Sequence, residues 1–171
     1  YKEESDLSQS FLDFNKDLPP LIKNGVEHHL YQYEYDIIDK LEKETKYLWI
    51  KKATGLGITE LILRYIAWKA LNDPTWVNSQ VVIITGPRIE LAVTLIDRIK
   101  GLFPNKPFET KNTVVQLASC RIEAFPSHHL DTARGLPNVK FIFLDEADFF
   151  PVSQQEDARA VAERYIAKSD P

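Results

Sequence analysis

Two adjacent carboxylates, Asp145 and Glu146, are the side chains of this chain best suited to do chemistry. They directly follow an apolar run at residues 141–144 (Phe-Ile-Phe-Leu). A strand that is buried on both faces of a parallel sheet reads as continuous apolar residues, and ligands bind at the carboxyl ends of such strands. We therefore predict that Asp145 binds Mg²⁺ and that Glu146 polarises an attacking water. A buried strand that ends in two surface acids is a common pattern, so a second motif has to support this interpretation.

That second motif, at residues 48–60, predicts a phosphate-binding loop between a strand and a helix. Backbone N–H groups of such a loop and of the helix N-terminus bind phosphate. The usual pattern is G-x-x-x-x-G-K-[ST], in which Ile58 occupies the lysine position and Thr59 supplies a hydroxyl for Mg²⁺. The residues expected to bind nucleotide here are Lys52, Ala53, Thr54, Gly55, Leu56, Gly57, Ile58 and Thr59.

The missing lysine at position 58 has two interpretations. In one, the loop is degenerate and binds nucleotide weakly or not at all. In the other, the lysine has moved to the start of the loop, where Lys52 folds back over the phosphates and neutralises their charge. Consecutive side chains on a strand point to opposite faces, so only one of Lys51 and Lys52 is expected to face the loop. Lys52 is favoured because it stands at the start of the loop.

Strands and helices alternate along the sequence and position these motifs. Residues 1–25 are expected to form an extended lead-in, and residues 26–171 a single phosphate-loop domain. Apolar spacing and breaker residues predict the elements. Helices are predicted at 26–46, 59–71, 88–102 and 153–168, and strands at 47–51, 80–85, 113–118, 121–125 and 141–144. This order predicts an α/β fold with a mainly parallel sheet in three layers.

Composition limits the classes of protein that are possible. The chain has 171 residues, 44% of them hydrophobic, which is enough for a globular domain with a real core. Its net charge of −4 provides no overall field that attracts nucleic acid, so such a role would need a local basic patch or another domain. The single Cys120 is expected to pack as a small hydrophobic residue. The sequence has neither a signal peptide nor a membrane-length apolar run, which predicts a cytoplasmic protein.

Three polar side chains outside the main motifs have a functional and a structural interpretation each. Gln32, preceded by Tyr31, has an amide that can pair with the N6 and N7 edge of adenine, or it is an exposed helical residue. Arg134, beside Gly135, suits an arginine finger that acts in cis or in trans, or it is a turn arginine. Arg88 begins a helix, where it contacts phosphate or nucleic acid, or is solvated. The residues alone leave all three open.

Together these motifs resemble the ATPase domain of a viral terminase large subunit, the motor that packages DNA into a procapsid. The resembling stretches are Tyr31-Gln32 and residues 52–59, 133–135 and 141–147. Some terminases carry the loop lysine at the start of the loop, as Lys52 does. Some use an arginine shortly before the acidic pair as a finger on a neighbouring subunit, and Arg134 falls at that place.

The resemblance implies a three-layer, RecA-like P-loop NTPase fold, truncated after the strand with the acids and the helix that follows it. It implies Mg²⁺-dependent ATP hydrolysis that powers DNA packaging, with Glu146, Lys52 and Arg134 as catalytic residues. The implied partners are double-stranded DNA, the portal, the small terminase subunit and further copies of the chain in a ring, but no membrane. Terminases also carry a coupling motif and a C-terminal nuclease domain beyond this region, so we expect a fragment without nuclease activity.

Two other interpretations remain. The letters of residues 145–148 (Asp-Glu-Ala-Asp) also spell the acidic box of DEAD-box RNA helicases. Those helicases, however, depend on the lysine that Ile58 replaces, and on a second RecA-like domain. The other alternative is a non-catalytic nucleotide-binding or scaffolding module. Asp145 and Glu146 argue against it, because an inactive site does not need its second acid.

Overall fold

The computed structural model describes residues 11–43, 46–53, 55–109 and 111–169, with side chains up to residue 165. The chain divides into two compact units, residues 1–68 and 69–171. The strands are β1 (Leu21–Lys23), β2 (Val26–His28), β3 (Gln80–Thr85), β4 (Val114–Leu117), β5 (Cys120–Pro126) and β6 (Val139–Leu144). The helices are α1 (residues 11–16), α2 (Gln32–Glu42), α3 (Ile58–Asn72), α4 (Ile89–Gly101), α5 (Leu130–Ala133) and α6 (Val152–Ser169).

In the first unit, α1 and the residues after it are fixed to α3. Phe11 is buried, and its ring lies edge-on to that of Trp68 with 5.6 Å between the centroids. The buried guanidinium of Arg64 donates to the side chain of Asn15 (2.9 Å) and to the carbonyl of Pro19 (2.6 Å). A buried arginine needs such partners, because an unpaired charge in the interior is costly. This part of the chain is therefore anchored by both apolar and polar contacts.

The described part of the expected extended lead-in thus contains regular structure instead. Besides α1, it contains β1, which pairs antiparallel with β2. Asn24 and Gly25 connect the two strands, and both have positive φ, 53° and 77°. Asn-Gly is the preferred pair for such a two-residue hairpin turn. The hairpin also explains why the helix predicted from residue 26 begins only at Gln32. Residues 1–10 of the lead-in lie outside the described part of the chain.

The second unit contains a four-stranded mixed sheet with the order β4-β5-β3-β6. β3 runs parallel to both β5 and β6, and β4 forms an antiparallel hairpin with β5. Val82 and Ile84 of β3 face a cluster formed with α5 and α6, whereas the alternate residues Val81 and Ile83 face the other side and are also fully buried. Both faces of β3 are therefore covered, whereas residues 140–144 of the edge strand β6 are only partly buried. The prediction of an α/β fold with a mostly parallel sheet is confirmed, and the arrangement is compatible with three layers.

Most predicted elements of this unit agree with the structure to within two residues. β3, β4, β5, α4 and α6 all occur where the apolar patterns predicted them, and β6 begins two residues before the predicted 141–144. The polar loop expected at 127–138 contains the additional short helix α5. In the first unit, the strand predicted at 47–51 is wrong, since residues 46–53 are irregular. Trp49 in that segment is 76% exposed, so its apolar residues are not organised as a buried strand.

Candidate functional site

The carboxyl edge of the sheet in the second unit carries the predicted acids. β3, β5 and β6 are parallel, so the segments that follow them begin at the same edge. These segments are residues 86–88, 127–134 and 145–148. The backbone N–H of Asp145 donates to the carbonyl of Ile84 at 2.9 Å, which extends the β3–β6 ladder by one residue. Asp145 is therefore held beside the end of β3, and its side chain is half-buried.

Glu146 has an unusual backbone. Its φ of 53° and ψ of 43° lie in the left-handed region, which costs a non-glycine residue on the order of 1 kcal/mol or more. The ladder bond of Asp145 fixes the chain before it. After it, the N–H of Phe149 donates to the Glu146 carbonyl at 2.9 Å in the short 3₁₀ helix Ala147–Phe149. This geometry leaves the Glu146 side chain exposed at the end of the strand, where a carboxylate can accept a proton or orient a water.

The two aromatic residues after the acids differ in their surroundings. Phe150 is buried in the cluster that Val82 and Ile84 form with α5 and α6. Its carbonyl accepts a hydrogen bond from the Gln155 side chain at 2.9 Å. Phe149, in contrast, is 76% exposed. Phe150 therefore anchors the turn that follows the acids, while Phe149 contributes little to this packing.

Arg134, the predicted arginine finger, is held by acids of its own unit. It ends α5, and its guanidinium forms ion pairs with Asp131 (3.3 Å) and Asp157 of α6 (3.9 Å). The side chain is 41% exposed. Arg134 also lines a polar cavity of about 250 Å³ together with Ser127 and His128. In this arrangement the guanidinium is partly accessible and its charge is balanced locally.

Tyr165 of α6 holds the loop that carries Arg134, and the sequence interpretation missed it. Its side chain is 1% exposed. The hydroxyl donates to the carbonyl of Ala133 and accepts from the N–H of Leu136 (3.0 Å). Burial raises the pKa of this hydroxyl, which therefore stays protonated. The only signal in the sequence was a tyrosine on the apolar side of a helix, and this does not reveal its partners.

The predicted phosphate loop, in the first unit, has glycines where its backbone requires them. Gly55 and Gly57 have φ of 81° and 76°, values that residues with a Cβ rarely adopt. α3 starts directly afterwards, and its first backbone bond runs from the N–H of Leu61 to the carbonyl of Gly57 at 3.1 Å. The positive end of the α3 dipole lies at this turn. The segment thus has the geometry that suits an anion at a helix N-terminus. Thr54 lies outside the described residues.

The side chains of this loop differ in exposure. Ile58, at the usual lysine position, is only 4% exposed, so its side chain packs into the protein. Lys52 is half-buried, whereas Lys51 and Ala53 are exposed. Thr59 lies half-buried in the first turn of α3. Lys52 remains the predicted phosphate ligand of the two lysines.

The N-terminal turn of α2 contacts the loop through residues that the sequence interpretation did not select. The hydroxyl of Tyr33 donates to the carbonyl of Leu56 at 2.7 Å. Glu34 is only 2% exposed, and its carboxylate accepts from the backbone N–H of Tyr31 at 2.8 Å. Burial raises the pKa of Glu34, and the Tyr31 hydrogen bond opposes this effect. The capping-box signal is a Ser, Thr, Asp or Asn followed three residues later by an acid, and Tyr31 occupies the N-cap here, so Glu34 was not recognisable in the sequence.

Gln32, the predicted adenine ligand, is exposed on α2, where its amide nitrogen donates to the Asp36 carboxylate at 3.1 Å. Next to it, three aromatic rings are stacked. The centroids of His28 and Tyr31 are 5.1 Å apart, and those of Tyr31 and Tyr33 are 5.6 Å apart. The rings are nearly parallel, at 21° and 13°. The stack fixes the orientation of Tyr31 and Tyr33 at the helix start.

Within the part of the chain that the structure describes, no three His, Cys, Asp or Glu side chains are grouped to bind a metal. Mg²⁺ is typically bound by one or two carboxylates together with substrate phosphates, and Asp145 would supply one such carboxylate. Among the described residues, no helix has the length and hydrophobicity that would let it cross a membrane.

Comparison with protein-family models and with curated proteins found no match for this chain.

Proposed function

We propose that this chain hydrolyses ATP with Mg²⁺ and powers DNA translocation into a viral procapsid, as the ATPase domain of a terminase large subunit. The observation that carries the proposal is the position of Asp145 and Glu146 at the carboxyl edge of a mostly parallel sheet. The left-handed backbone of Glu146 supports it further, because backbone strain of this kind is concentrated at functional sites.

Each residue of the proposed site has a distinct role. Backbone N–H groups of residues 55–59 bind the phosphates, and Lys52 neutralises the charge that develops on them. Thr59 and Asp145 would hold the Mg²⁺, which would offset the negative charge of the phosphates. Glu146 orients and activates the attacking water. Arg134 supplies a further positive charge, in cis or to a neighbouring copy.

The partners in the proposal follow from the resemblance of the motifs. Double-stranded DNA, the portal and the small terminase subunit are the proposed partners, with several copies of the chain in a ring in the host cytoplasm. The net charge of −4 makes strong DNA binding by an isolated copy unexpected. Contact with DNA is therefore proposed for the assembled motor.

The test of this proposal compares binding with turnover. Calorimetry with Mg-ATPγS should detect binding to the wild-type chain and to Glu146→Gln, since this substitution removes the base and keeps the shape of the side chain. Hydrolysis of ATP by the assembled motor should be abolished in Glu146→Gln. Appreciable turnover in that variant would refute the role of Glu146, and a wild-type chain that binds no nucleotide would refute the proposal.

The neighbouring lysines provide a matched pair within the same experiment. Lys52→Ala should weaken binding of Mg-ATPγS by roughly tenfold or more, as expected for a lost charge-assisted contact with phosphate. Lys51→Ala removes the same charge from an exposed position and should have a much smaller effect. Equal effects of the two substitutions would contradict the displaced-lysine interpretation.

A further inference from the structure

Tyr33 makes a direct side-chain contact with the phosphate loop from a different element of the first unit. Its hydroxyl donates to the carbonyl of Leu56 at 2.7 Å, across 23 residues of sequence. Leu56 lies between Gly55 and Gly57, both at positive φ. Glycines have more backbone freedom than other residues, so the peptide units around Leu56 can reorient easily unless another group restrains them.

The position of the Tyr33 hydroxyl is itself well fixed. The ring stacks on that of Tyr31, with 5.6 Å between the centroids and 13° between the planes. The Glu34 carboxylate accepts the N–H of Tyr31 and thereby holds the start of α2. Burial, and then the nearby Glu34 charge, raise the pKa of Tyr33, so its hydroxyl remains a hydrogen-bond donor at neutral pH. The contact with Leu56 is therefore a restraint imposed by a rigid neighbour.

This restraint also determines the direction of a backbone donor. The carbonyl of Leu56 and the N–H of Gly57 belong to one planar, trans peptide unit, in which they point in opposite directions. A hydrogen bond that holds the carbonyl therefore also orients the Gly57 N–H away from Tyr33. A peptide flip at this point would turn that donor away from any anion bound in the loop.

We propose that Tyr33 is a positioning residue of the phosphate loop, which fixes the Leu56–Gly57 peptide so that the Gly57 N–H is oriented for phosphate. The proposal rests on the proposed function, since it assumes that the loop binds the phosphates of a nucleotide. Tyr33 itself need not touch the nucleotide. Loss of its hydroxyl should therefore weaken the binding of ligands that carry phosphates. It should also increase the motion of the loop in the ligand-free protein.

The first readout is amide hydrogen exchange of the ligand-free protein. Tyr33→Phe keeps the stacked ring and removes only the hydroxyl, and Tyr35→Phe is the matched control at an exposed position of the same helix. Exchange at residues 55–58 should be roughly 3- to 10-fold faster in Tyr33→Phe, the equivalent of one hydrogen bond. Exchange in the rest of α3 should remain as in the wild type and in the control.

The second readout is affinity for Mg-ATPγS and for adenosine. Tyr33→Phe should bind Mg-ATPγS roughly 3- to 10-fold more weakly, with adenosine affinity unchanged. If Tyr33→Phe has the same loop exchange rates and the same Mg-ATPγS affinity as the wild type, the inference is wrong. Faster exchange throughout α3, or equal losses for both ligands, would also overturn it, because the effect would then be structural. If the wild-type chain binds no nucleotide, both the proposed function and this inference fail. If the wild-type chain binds Mg-ATPγS and Tyr33→Phe binds it equally well, only the inference fails.

Discussion

Glu146 combines an exposed carboxylate with a left-handed backbone at the end of β6. Among the described residues with positive φ, Asn and Gly account for all except Ala118 and Glu146. Asn and Gly adopt this region readily, but Glu does not. Ala118 lies in the turn between β4 and β5, where hairpin geometry explains it. Glu146, in contrast, retains a strained conformation directly after a strand, which suggests that the position of its side chain matters more than stability.

The strain at Glu146 can be measured by substitution. Glu146→Gly should be about 0.5–1 kcal/mol more stable than Glu146→Ala, because the left-handed region costs a residue with a Cβ about 1–2 kcal/mol and the unfolded-state freedom of Gly offsets part of this gain. Thermal unfolding of the two variants measures the difference. At Glu156, exposed within α6, the order should reverse, since Gly destabilises a helix interior. A Glu146→Gly variant that is less stable than Glu146→Ala would contradict the left-handed backbone.

At the scale of elements, α6 supports the loop that leads from α5 to β6. Tyr165 binds the backbone on both sides of residues 134–135, at Ala133 and Leu136. Asp157, two helical turns earlier, pairs with the Arg134 side chain. One helix thus holds both the backbone and the guanidinium of the predicted finger. The predicted site therefore includes support from a helix that carries none of its proposed catalytic residues.

Removal of the Tyr165 hydroxyl should destabilise the second unit. Tyr165→Phe leaves the Ala133 carbonyl and the Leu136 N–H without this partner, and a buried polar group that loses its partner costs about 1–3 kcal/mol. Urea unfolding should show a lower midpoint for this variant. Tyr35→Phe, on an exposed face of α2, should change stability by less than about 0.5 kcal/mol. A midpoint equal to that of this control would mean that the hydroxyl does not hold the loop in solution.

At the scale of the whole molecule, Arg134 is the residue whose proposed role depends on assembly. Its ion pairs with Asp131 and Asp157 are partly exposed, and pairs of this kind contribute only about 0–1 kcal/mol each. A guanidinium held this weakly can be transferred to a phosphate of a neighbouring copy at a small cost. The local acids are therefore compatible with a role in trans.

Mixing of two inactive variants tests that role. Arg134→Ala should lower ATP hydrolysis in an assembled ring, and Glu146→Gln should abolish it. If Arg134 acts on a neighbour, rings mixed from the two variants should recover part of the activity, because some interfaces then combine an intact Arg134 with an intact Glu146. Rings of each variant alone serve as controls. Mixed rings without any recovery would assign Arg134 a role within its own subunit.

The sequence by itself determined the elements whose signals are local. β3 and β6 each contain a run of four apolar residues, and α4 and α6 have helical spacing, so each was identifiable without its neighbours. The carboxylates after β6 were equally recognisable, since a parallel strand delivers the residues that follow it to the ligand-binding edge. The Asn24-Gly25 pair was also a local signal for a hairpin turn, although an extended lead-in was predicted there.

Only the tertiary structure decided the contacts between residues that are distant in sequence. The bond from Tyr33 to Leu56, the burial of Glu34 and the pairing of Arg134 with Asp157 depend on how separate elements pack. The irregular segment at 46–53 illustrates the same limit, because strand propensity forms a strand only where a neighbouring strand offers hydrogen bonds. Local patterns specify which residues can form an element, whereas long-range packing specifies which side chains meet, and the free energy of such contacts cannot be deduced from the chain order.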